Sequence, residues 1–270
     1  MKHDLAEEDT YLATPERPCG TGVLVLHGSS GRLEEARAEL FAAAGASALA
    51  IRWFGGYGQQ ETTCDVPLER FFAALDRLAA DHDRLAVVGT SFGAEAALVV
   101  GVHDSRVDAV VAIAPSPVVW AGFAGERMSS HWTLGGEPVP FVPFLPDWEP
   151  DQDPPALREL YAGSLRAYPD RAEAAAIPVE RIAGDVVLVG GGDDQVWPGA
   201  DFARLVAERR SGHGLPTAVV LHPAAGHRVV LPGENPVDGG MSLARGGTPA
   251  ADRELGDLAW PHLKRVLRSN

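Results

Sequence analysis

The stretch that most constrains this chain is V-V-G-T-S-F-G-A-E-A-A-L, residues 87–98, in which a serine stands between two glycines. The β-branched residues before it favour a strand, and the alanines after it favour a helix. A chain that passes so quickly from strand to helix must turn sharply, and Gly89 and Gly93 leave room for that turn. The G-x-S-x-G pattern therefore predicts that Ser91 projects its hydroxyl from the carboxyl edge of a sheet as a nucleophile. The alternative is a glycine-rich turn whose serine only caps the helix.

Strand-like and helix-like segments alternate along most of the chain. Short apolar runs bounded by glycine or turn residues predict buried strands, and apolar residues three or four positions apart predict helices. The predicted strands are 21–28, 46–54, 84–88, 107–115, 185–190 and 217–222, and the predicted helices are 33–44, 68–78, 94–102, 199–210 and 249–267. This order predicts an α/β fold, with a mostly parallel sheet and helices on both faces. The length of 270 residues fits a single domain, residues 1–270.

One interval, from about residue 116 to residue 180, breaks this alternation. It contains 10 of the 21 prolines and 8 of the 19 aromatic residues. Because linkers are polar and poor in aromatic side chains, this composition predicts a lid inserted into the domain. The aromatic side chains need an apolar surface, which we expect at the mouth of the site, with Trp120 and Trp132 in contact with the substrate.

A serine nucleophile needs a base to take its proton, and the base needs a buried carboxylate to fix its tautomer. In a sheet of this kind both partners lie on loops after later strands, in the chain order serine, acid, histidine. His227, in P-A-A-G-H-R after the strand at 217–222, is the predicted base. The other histidines considered lie on or beside elements that this order does not favour: His131, His213 and His222.

The acid is one of two adjacent aspartates in G-G-D-D-Q-V-W-P, which follows the strand at 185–190. Asp194 stands third after Gly191, a register that lets the strand end and the carboxylate turn back toward the histidine. Asp193 remains the alternative, because the sequence does not determine the last residue of the strand. Either aspartate can also be an ordinary turn residue that hydrogen-bonds its own backbone.

The oxyanion that forms when a nucleophile attacks a carbonyl needs two N–H donors. One is expected from the backbone of Phe92, directly after the nucleophile. The loop L-H-G-S-S-G-R after the first strand is the expected source of the other, with Ser29 as the first choice and Ser30 as the alternative. A flexible loop is the simpler interpretation of G-S-S-G, and both are compatible because a backbone donor makes no demand on the side chain.

The chain is acidic, with a formal net charge of −14. This charge opposes binding to nucleic acid or to an anionic membrane surface, so neither is an expected partner. No apolar run approaches the roughly 20 residues of a membrane span. Cys19 and Cys64 give no disulfide framework, and the acidic N-terminal segment lacks the pattern of a signal peptide. A cytoplasmic enzyme is therefore expected.

Three segments together resemble the C-terminal catalytic domain of the acyl-CoA thioester hydrolase and bile acid-CoA:amino acid N-acyltransferase family. They are G-T-S-F-G-A-E, R-W-F-G after the second strand, and I-P-V-E-R-I-A-G-D-V-V-L-V-G-G-G-D-D-Q-V-W-P followed by A-A-G-H-R. The resemblance runs from about Val23 to the end of the chain. It implies an α/β-hydrolase fold, a triad of Ser91, Asp194 and His227, and a coenzyme A thioester as substrate.

The resemblance has two departures. Longer members of the family carry an immunoglobulin-like domain before the catalytic one, whereas about 20 residues precede the first strand here. The family's amino-acid acyltransferases have cysteine at the position of Ser91, and serine favours water as the final acceptor. The expected function is a serine hydrolase that cleaves acyl groups from coenzyme A, or from a carrier protein, through an acyl-Ser91 intermediate. No metal or redox cofactor is implied.

An acidic chain that binds coenzyme A needs local cations for the phosphates. Arg32, in the loop that supplies the second oxyanion donor, and Arg228, next to His227, are the candidates. Three other functions remain open. They are a carboxylesterase or lactonase of the dienelactone hydrolase type, an acyltransferase that passes the acyl group to an amine or alcohol, and a hydrolase fold that has lost catalysis and only binds.

Overall fold

The strands form from the apolar runs of the sequence. A computed structural model describes residues 5–235 and 241–267. In chain order its strands are β1 (Thr10–Ala13), β2 (Thr21–Leu26), β3 (Ser47–Ile51), β4 (Val66–Pro67), β5 (Arg84–Thr90), β6 (Val107–Ile113), β7 (Ala121–Ala124), β8 (Arg127–Ser130), β9 (Trp132–Leu134), β10 (Glu137–Pro138), β11 (Asp185–Gly191) and β12 (Ala218–His222). Within these residues seven strands form the main sheet, in the order β1-β3-β2-β5-β6-β11-β12. Every predicted strand is present, with ends shifted by a few residues at most.

One edge of the main sheet is antiparallel, although the other neighbouring strands run parallel. Strand β1 pairs with β3 in the register Leu12 to Leu49. The sequence analysis missed β1, because an edge strand of four residues with mostly half-exposed side chains carries little apolar signal. This strand lies at the end of the sheet opposite β12, so it does not contribute to the site.

Helices cover both faces of the main sheet, as predicted. The helices of the described residues are α1 (Glu35–Ala43), α2 (Glu69–Ala79), α3 (Phe92–His103), α4 (Arg158–Ala167), α5 (Pro169–Ala174), α6 (Gly199–Gly212) and α7 (Pro249–Leu267). Of these, α4 and α5 belong to the segment 116–180, and the others cover the sheet. Side chains alternate along β2: Val23 and Val25 pack with α1 and α7, whereas Leu24 and Leu26 pack with α2, α3 and α6. A strand that is buried on both faces must be apolar throughout, which explains its unbroken run of hydrophobic residues.

The segment 116–180 folds into small elements of its own. Strands β7 and β8 form a hairpin, β9 pairs with β10 and with β4, and the helices α4 and α5 follow. Within the described part of the chain no helix is both long and apolar enough to cross a membrane. The prediction of one domain over residues 1–270 includes 1–4, 236–240 and 268–270, which lie outside the described residues, and it stays a prediction.

Candidate active site

Ser91 occupies the turn between β5 and α3 in a strained backbone conformation, with φ 59° and ψ −121°. The two flanking glycines are needed because the chain packs too closely for a side chain. A Cβ on Gly89 would lie 1.9 Å from the carbonyl oxygen of Gly93, and a Cβ on Gly93 would lie 2.3 Å from that of His27. Residues in this left-handed region are costly unless the fold determines them, and they concentrate at functional sites.

Three side chains from three separate loops meet in one chain of hydrogen bonds. Nε2 of His227 lies 2.9 Å from Oγ of Ser91, and its Nδ1 lies 2.8 Å from Oδ2 of Asp194. Asp194 is fully buried, and its Oδ1 accepts from the backbone N–H groups of Val196 at 2.8 Å and Trp197 at 3.2 Å. An ionised carboxylate only accepts, so Nδ1 carries the proton and Nε2 is left to accept from the serine hydroxyl.

The neighbouring aspartate points elsewhere. Asp193 is exposed, and its carboxylate accepts from the backbone N–H of Gly247 and from Nε2 of Gln195, each at 2.8 Å. The structure therefore brings Asp194, and not Asp193, to His227. The remaining histidines of the prediction lie outside this chain of hydrogen bonds: His213 is exposed after α6, His222 is paired with Glu254, and His131 is paired with Glu95.

The loop after β2 packs directly against the serine. A Cβ on Gly28 would lie 3.0 Å from Cβ of Ser91, and Ser29 comes next in the chain. His27 anchors this loop from below, since its ring stacks on Trp53 with ring centroids 4.8 Å apart. Burial lowers the pKa of His27 to about 4, so its imidazole is neutral near pH 7 and is a weak base. Phe92, whose N–H is the other predicted oxyanion donor, follows Ser91 directly and is the first residue of α3.

Two cavities open from Ser91 and His227, which line both. The first, which we name the polar cavity, has a volume of about 410 Å³. Both arginines predicted to bind phosphate line it, together with a salt bridge between Arg37 and Glu234 whose atoms are 2.6 Å apart. Nη1 of Arg37 also donates to Oγ1 of Thr90 at 2.6 Å, which ties this wall to the residue before the serine. The predicted arginines are Arg32 and Arg228.

The second cavity, which we name the apolar cavity, has a volume of about 560 Å³. Residues of the segment 116–180, most of them aliphatic or aromatic, form almost half of its lining, and Phe92 lines it next to the serine. The lining aromatic residues of that segment are Phe123, Phe144, Trp148 and Tyr161. Phe144 stacks against Phe123 with ring centroids 6.0 Å apart. A site of this size and composition suits an acyl chain.

The prediction that Trp120 and Trp132 contact substrate needs correction. Both indoles are fully buried and neither lines either cavity. Nε1 of Trp120 donates to Oγ of Ser116 at 2.8 Å, and Nε1 of Trp132 donates to Oε1 of Glu95 at 2.7 Å. Both N–H groups have buried acceptors, so the indoles can be buried without losing hydrogen bonds. The two rings lie behind the cavity wall, where Trp120 stacks on Phe144.

Two features of the site were missed from the sequence: a further cation and a buried carboxylate–imidazole pair. Arg245 lines both cavities, and its backbone oxygen accepts from the N–H of His227 at 2.9 Å. It lies in an irregular loop that gives no periodic signal. His131 packs against Phe92 and contacts Glu95, which lies on α3. An acidic residue inside this otherwise apolar helix is the sequence signal for the pair. Among the described residues, no group of three acidic, histidine or cysteine side chains is arranged to hold a metal ion.

Solved structures share this architecture. A dienelactone hydrolase from Klebsiella pneumoniae superposes with a TM-score of 0.58 at 13% identity, covering 97% of this chain and 92% of that one. An esterase domain from Rhodothermus marinus superposes with a TM-score of 0.51 at 16% identity, covering 95% and 92%. Together with the mostly parallel sheet, these matches confirm the predicted α/β-hydrolase fold.

Curated proteins match at low identity. Acyl-coenzyme A thioesterase 6 of Mus musculus is 26% identical over 280 residues, which cover 96% of this chain and 62% of the relative. Acyl-coenzyme A amino acid N-acyltransferase 2 of Mus musculus is 24% identical over 262 residues, which cover 92% and 60%. Peroxisomal succinyl-coenzyme A thioesterase of Mus musculus is 24% identical over 236 residues, which cover 83% and 52%. The chain thus spans less than two thirds of the length of these relatives.

A family model gives the most extensive assignment. The family described as BAAT / Acyl-CoA thioester hydrolase C terminal matches residues 70–239, which is more than half of the chain. The match includes the elbow, both aspartates and the histidine that contacts Ser91. It confirms the predicted resemblance and, with it, the prediction of an enzyme. This chain belongs to the BAAT / acyl-CoA thioester hydrolase C-terminal family.

Proposed function

We propose that this chain is a serine hydrolase that cleaves acyl-coenzyme A thioesters through a covalent acyl-Ser91 intermediate. The observation that carries the proposal is the hydrogen-bonded chain from Ser91 through His227 to Asp194, with distances of 2.9 Å and 2.8 Å. A hydroxyl, an imidazole and a buried carboxylate in this order are what nucleophilic acyl transfer requires. Family membership supports a thioester as the bond that is cleaved.

In the first half of the reaction, Oγ of Ser91 gives its proton to Nε2 of His227 and forms a bond to the thioester carbon. The carbonyl oxygen becomes an oxyanion, which accepts from the backbone N–H groups of Phe92 and Ser29. Asp194 stabilises the imidazolium without taking its proton. When the C–S bond breaks, His227 returns the proton to the departing sulfur, so coenzyme A leaves as a thiol.

In the second half, a water molecule enters the space that the thiol has left. His227 takes one of its protons while its oxygen attacks the acyl carbon. A second oxyanion forms and collapses, and the proton returns to Oγ of Ser91 as the ester bond breaks. The products are a carboxylic acid and free enzyme. If an amine replaces water at this step, the product is an amide, which is the acyltransferase alternative.

The two cavities are the proposed sites for the two halves of the substrate. Coenzyme A carries several negative charges, so it is assigned to the polar cavity, where Arg32 and Arg228 neutralise phosphate with support from Arg245 at the boundary. The acyl chain is assigned to the apolar cavity. Since Ser91 lines both, the scissile carbonyl comes to lie at their junction.

Turnover of short, medium, long and aromatic acyl-CoAs, beside p-nitrophenyl esters of the same acids, tests the proposal. Ser91→Ala should lower thioester turnover by roughly 10⁴-fold or more, because it removes the nucleophile and leaves the packing intact. The matched control is Ser105→Ala, at an exposed serine in the turn after α3, which should retain activity. Labelling by a fluorophosphonate should require Ser91.

Three results would contradict the proposal. Near-wild-type activity of Ser91→Ala would remove the nucleophile assignment. Better turnover of plain esters than of every acyl-CoA would favour a carboxylesterase. Formation of an acyl amide in preference to the free acid, when an amino acid is present with acyl-CoA, would favour the acyltransferase.

A further inference from the structure

A second carboxylate–imidazole pair lies beside the nucleophile and has no role in the proposed reaction. Oε1 of Glu95 lies 3.0 Å from Nδ1 of His131, in a geometry that parallels the pair of Asp194 and His227. Glu95 is 0% exposed and His131 is 1% exposed. Burying two ionisable groups next to a reaction site is costly, and an apolar pair of similar volume would often serve stability as well.

Three nitrogen atoms converge on one oxygen of Glu95. Its Oε1 accepts from Nε1 of Trp132 at 2.7 Å and from the backbone N–H of Trp120 at 3.3 Å, besides the bond from His131. Its Oε2 is buried and has no hydrogen-bond partner among the described residues. A buried carboxylate requires a compensating charge, and His131 is the ionisable side chain that contacts it.

His131 lines the apolar cavity, and its Nε2 lies across the ring from the nitrogen that contacts Glu95. Nε2 has no hydrogen-bond partner among the described residues, whereas Nδ1 is held by Glu95. In its imidazolium form this ring carries a proton on both nitrogens, so Nε2–H is then a donor. That form compensates the charge of a Glu95 carboxylate and adds a positively charged donor to a wall of mostly apolar side chains.

His131 stands where the first carbons of an acyl chain would lie. Its ring centroid is 4.3 Å from that of Phe92, the residue that follows the nucleophile. Tyr161 lines the same cavity, and its pKa is raised, mainly by burial and further by the charges of Glu95 and Asp194. Its hydroxyl is therefore a neutral second donor. Apolar acyl chains would leave both donors without partners.

We infer that His131, held by Glu95, selects acyl groups that carry a hydrogen-bond-accepting oxygen, an oxo group or a carboxylate, within a few bonds of the thioester. This inference rests on the proposed function, because it assigns the acyl half of the substrate to the apolar cavity. His131 is thereby a specificity-determining residue that contacts substrate through Nε2, and Glu95 is its positioning residue.

Three acyl-CoAs with four carbons in the acyl group give a matched test. Succinyl-CoA carries a carboxylate, acetoacetyl-CoA carries an oxo group, and butanoyl-CoA carries neither. Charge-assisted hydrogen bonds predict that kcat/KM for the two oxygenated substrates exceeds that for butanoyl-CoA by about 10-fold to 100-fold. Which of the two is preferred distinguishes a carboxylate site from a carbonyl site.

Two substitutions separate the nitrogens of His131. His131→Asn keeps an N–H near the position of Nδ1, toward Glu95, and removes Nε2. It should bring the preference for oxygenated substrates to within about 3-fold of unity, mainly through a higher KM for succinyl-CoA and acetoacetyl-CoA. His131→Gln retains a neutral donor toward the cavity and should keep part of the preference. His222→Asn is the control, because His222 pairs with Glu254 outside both cavities.

A wild-type preference for butanoyl-CoA, or an equal loss on all three substrates in His131→Asn, would overturn the inference. If neither variant folds, the wild-type preference alone decides. The same acyl groups carried on p-nitrophenyl esters separate this inference from the proposed function. If the wild type does not cleave thioesters but shows the acyl preference on aryl esters, only the proposed function is contradicted. If it cleaves thioesters without this preference, only the role of His131 is contradicted.

Discussion

The polar and the apolar cavity meet at one serine but are built in different ways. The polar cavity is formed mainly by the loops after β2 and β12 and by the start of α7. Its walls therefore follow the carboxyl ends of sheet strands. The inserted segment 116–180 forms almost half of the lining of the apolar cavity. Ser91 and His227 belong to both. In the proposed function, the sheet supplies the chemistry and the phosphate contacts, while the insertion contributes to the selection of acyl groups.

The electrostatic setting of the two cavities also differs. With a net charge of −14, the chain as a whole repels an anionic substrate, and only short-range contacts within a Debye length of about 8 Å can offset that repulsion. The lining of the polar cavity contains four arginines and three acidic side chains: Arg32, Arg37, Arg228 and Arg245, with Glu34, Glu234 and Asp252. The apolar cavity instead gains affinity from burial of hydrocarbon, at roughly 25 cal/mol per Å².

Within this comparison the largest expected effect concerns Asp194, the acid bonded to the histidine that lines both cavities. Asp194→Asn should lower kcat by about 10³-fold to 10⁴-fold, because an amide in this place favours the wrong tautomer of His227. The loss should be equal for acyl-CoA and for a thioester without the nucleotide, since the defect lies in the chemistry and not in either cavity. Steady-state kinetics on both substrates measure it.

Asp193→Asn is the matched control for this loss. Its carboxylate contacts Gly247 and Gln195 and does not reach His227, so kcat should stay within about 3-fold of wild type. A reversal of the two effects would mean that Asp193 is the acid. If the loss in Asp194→Asn differs between acyl-CoA and the thioester without the nucleotide, Asp194 also affects binding of coenzyme A, which contradicts a purely chemical role.

A smaller effect, confined to one substrate, is expected in the polar cavity. Arg32→Ala and Arg228→Ala should each raise KM for acyl-CoA by about 5-fold to 50-fold, because each removes a cation that can grip phosphate. Hydrolysis of an uncharged thioester that lacks the nucleotide should hardly change. Comparison of KM for the two substrates measures the effect.

Arg204→Ala controls for a general change in net charge, because Arg204 is exposed on α6 and paired with Asp201. It should leave KM for both substrates unaltered. Equal losses on both substrates in the Arg32 or Arg228 variant would mean that the side chain supports the reacting groups. No loss on either would remove that arginine from the proposed phosphate site.

The sequence predicted the polar side of the site well. The run of β-branched residues ending at Gly89 located β5, and strand ends located the loops that carry Asp194, His227 and Ser29. This works because parallel strands place their carboxyl ends at one edge of the sheet, so chain order translates into proximity. The short edge strand β1 escaped prediction, since it shows no continuous apolar run.

For the apolar cavity, only the composition of the segment 116–180 carried a prediction. An excess of proline and aromatic residues indicated an insertion near the site, but the insertion has short strands and irregular turns, so no period assigns its side chains to a face. Trp120 and Trp132 are large and aromatic like Phe144, yet they are buried because Ser116 and Glu95 accept hydrogen bonds from their N–H groups. Glu95 stands 37 residues before Trp132, and a contact over that separation is visible only in three dimensions.

The smallest expected effect tests the apolar cavity itself. Phe144 lines the cavity and stacks on Trp120, so Phe144→Ala widens the cavity and removes apolar surface that an acyl chain would contact. We expect kcat/KM to fall by about 5-fold to 20-fold for long acyl-CoAs and to stay unchanged for acetyl-CoA, because only a long chain reaches this ring.

Phe141→Ala supplies the comparison, since Phe141 is a half-buried residue of the same insertion that packs on the core and on Arg171 and lines neither cavity. Both substitutions remove a phenyl ring and should lower the Tm of unfolding. Only Phe144→Ala should alter the dependence of kcat/KM on acyl chain length. If the two variants change that dependence alike, the insertion acts through its stability as a whole. In that event the ring of Phe144 does not determine which acyl chain lengths are preferred.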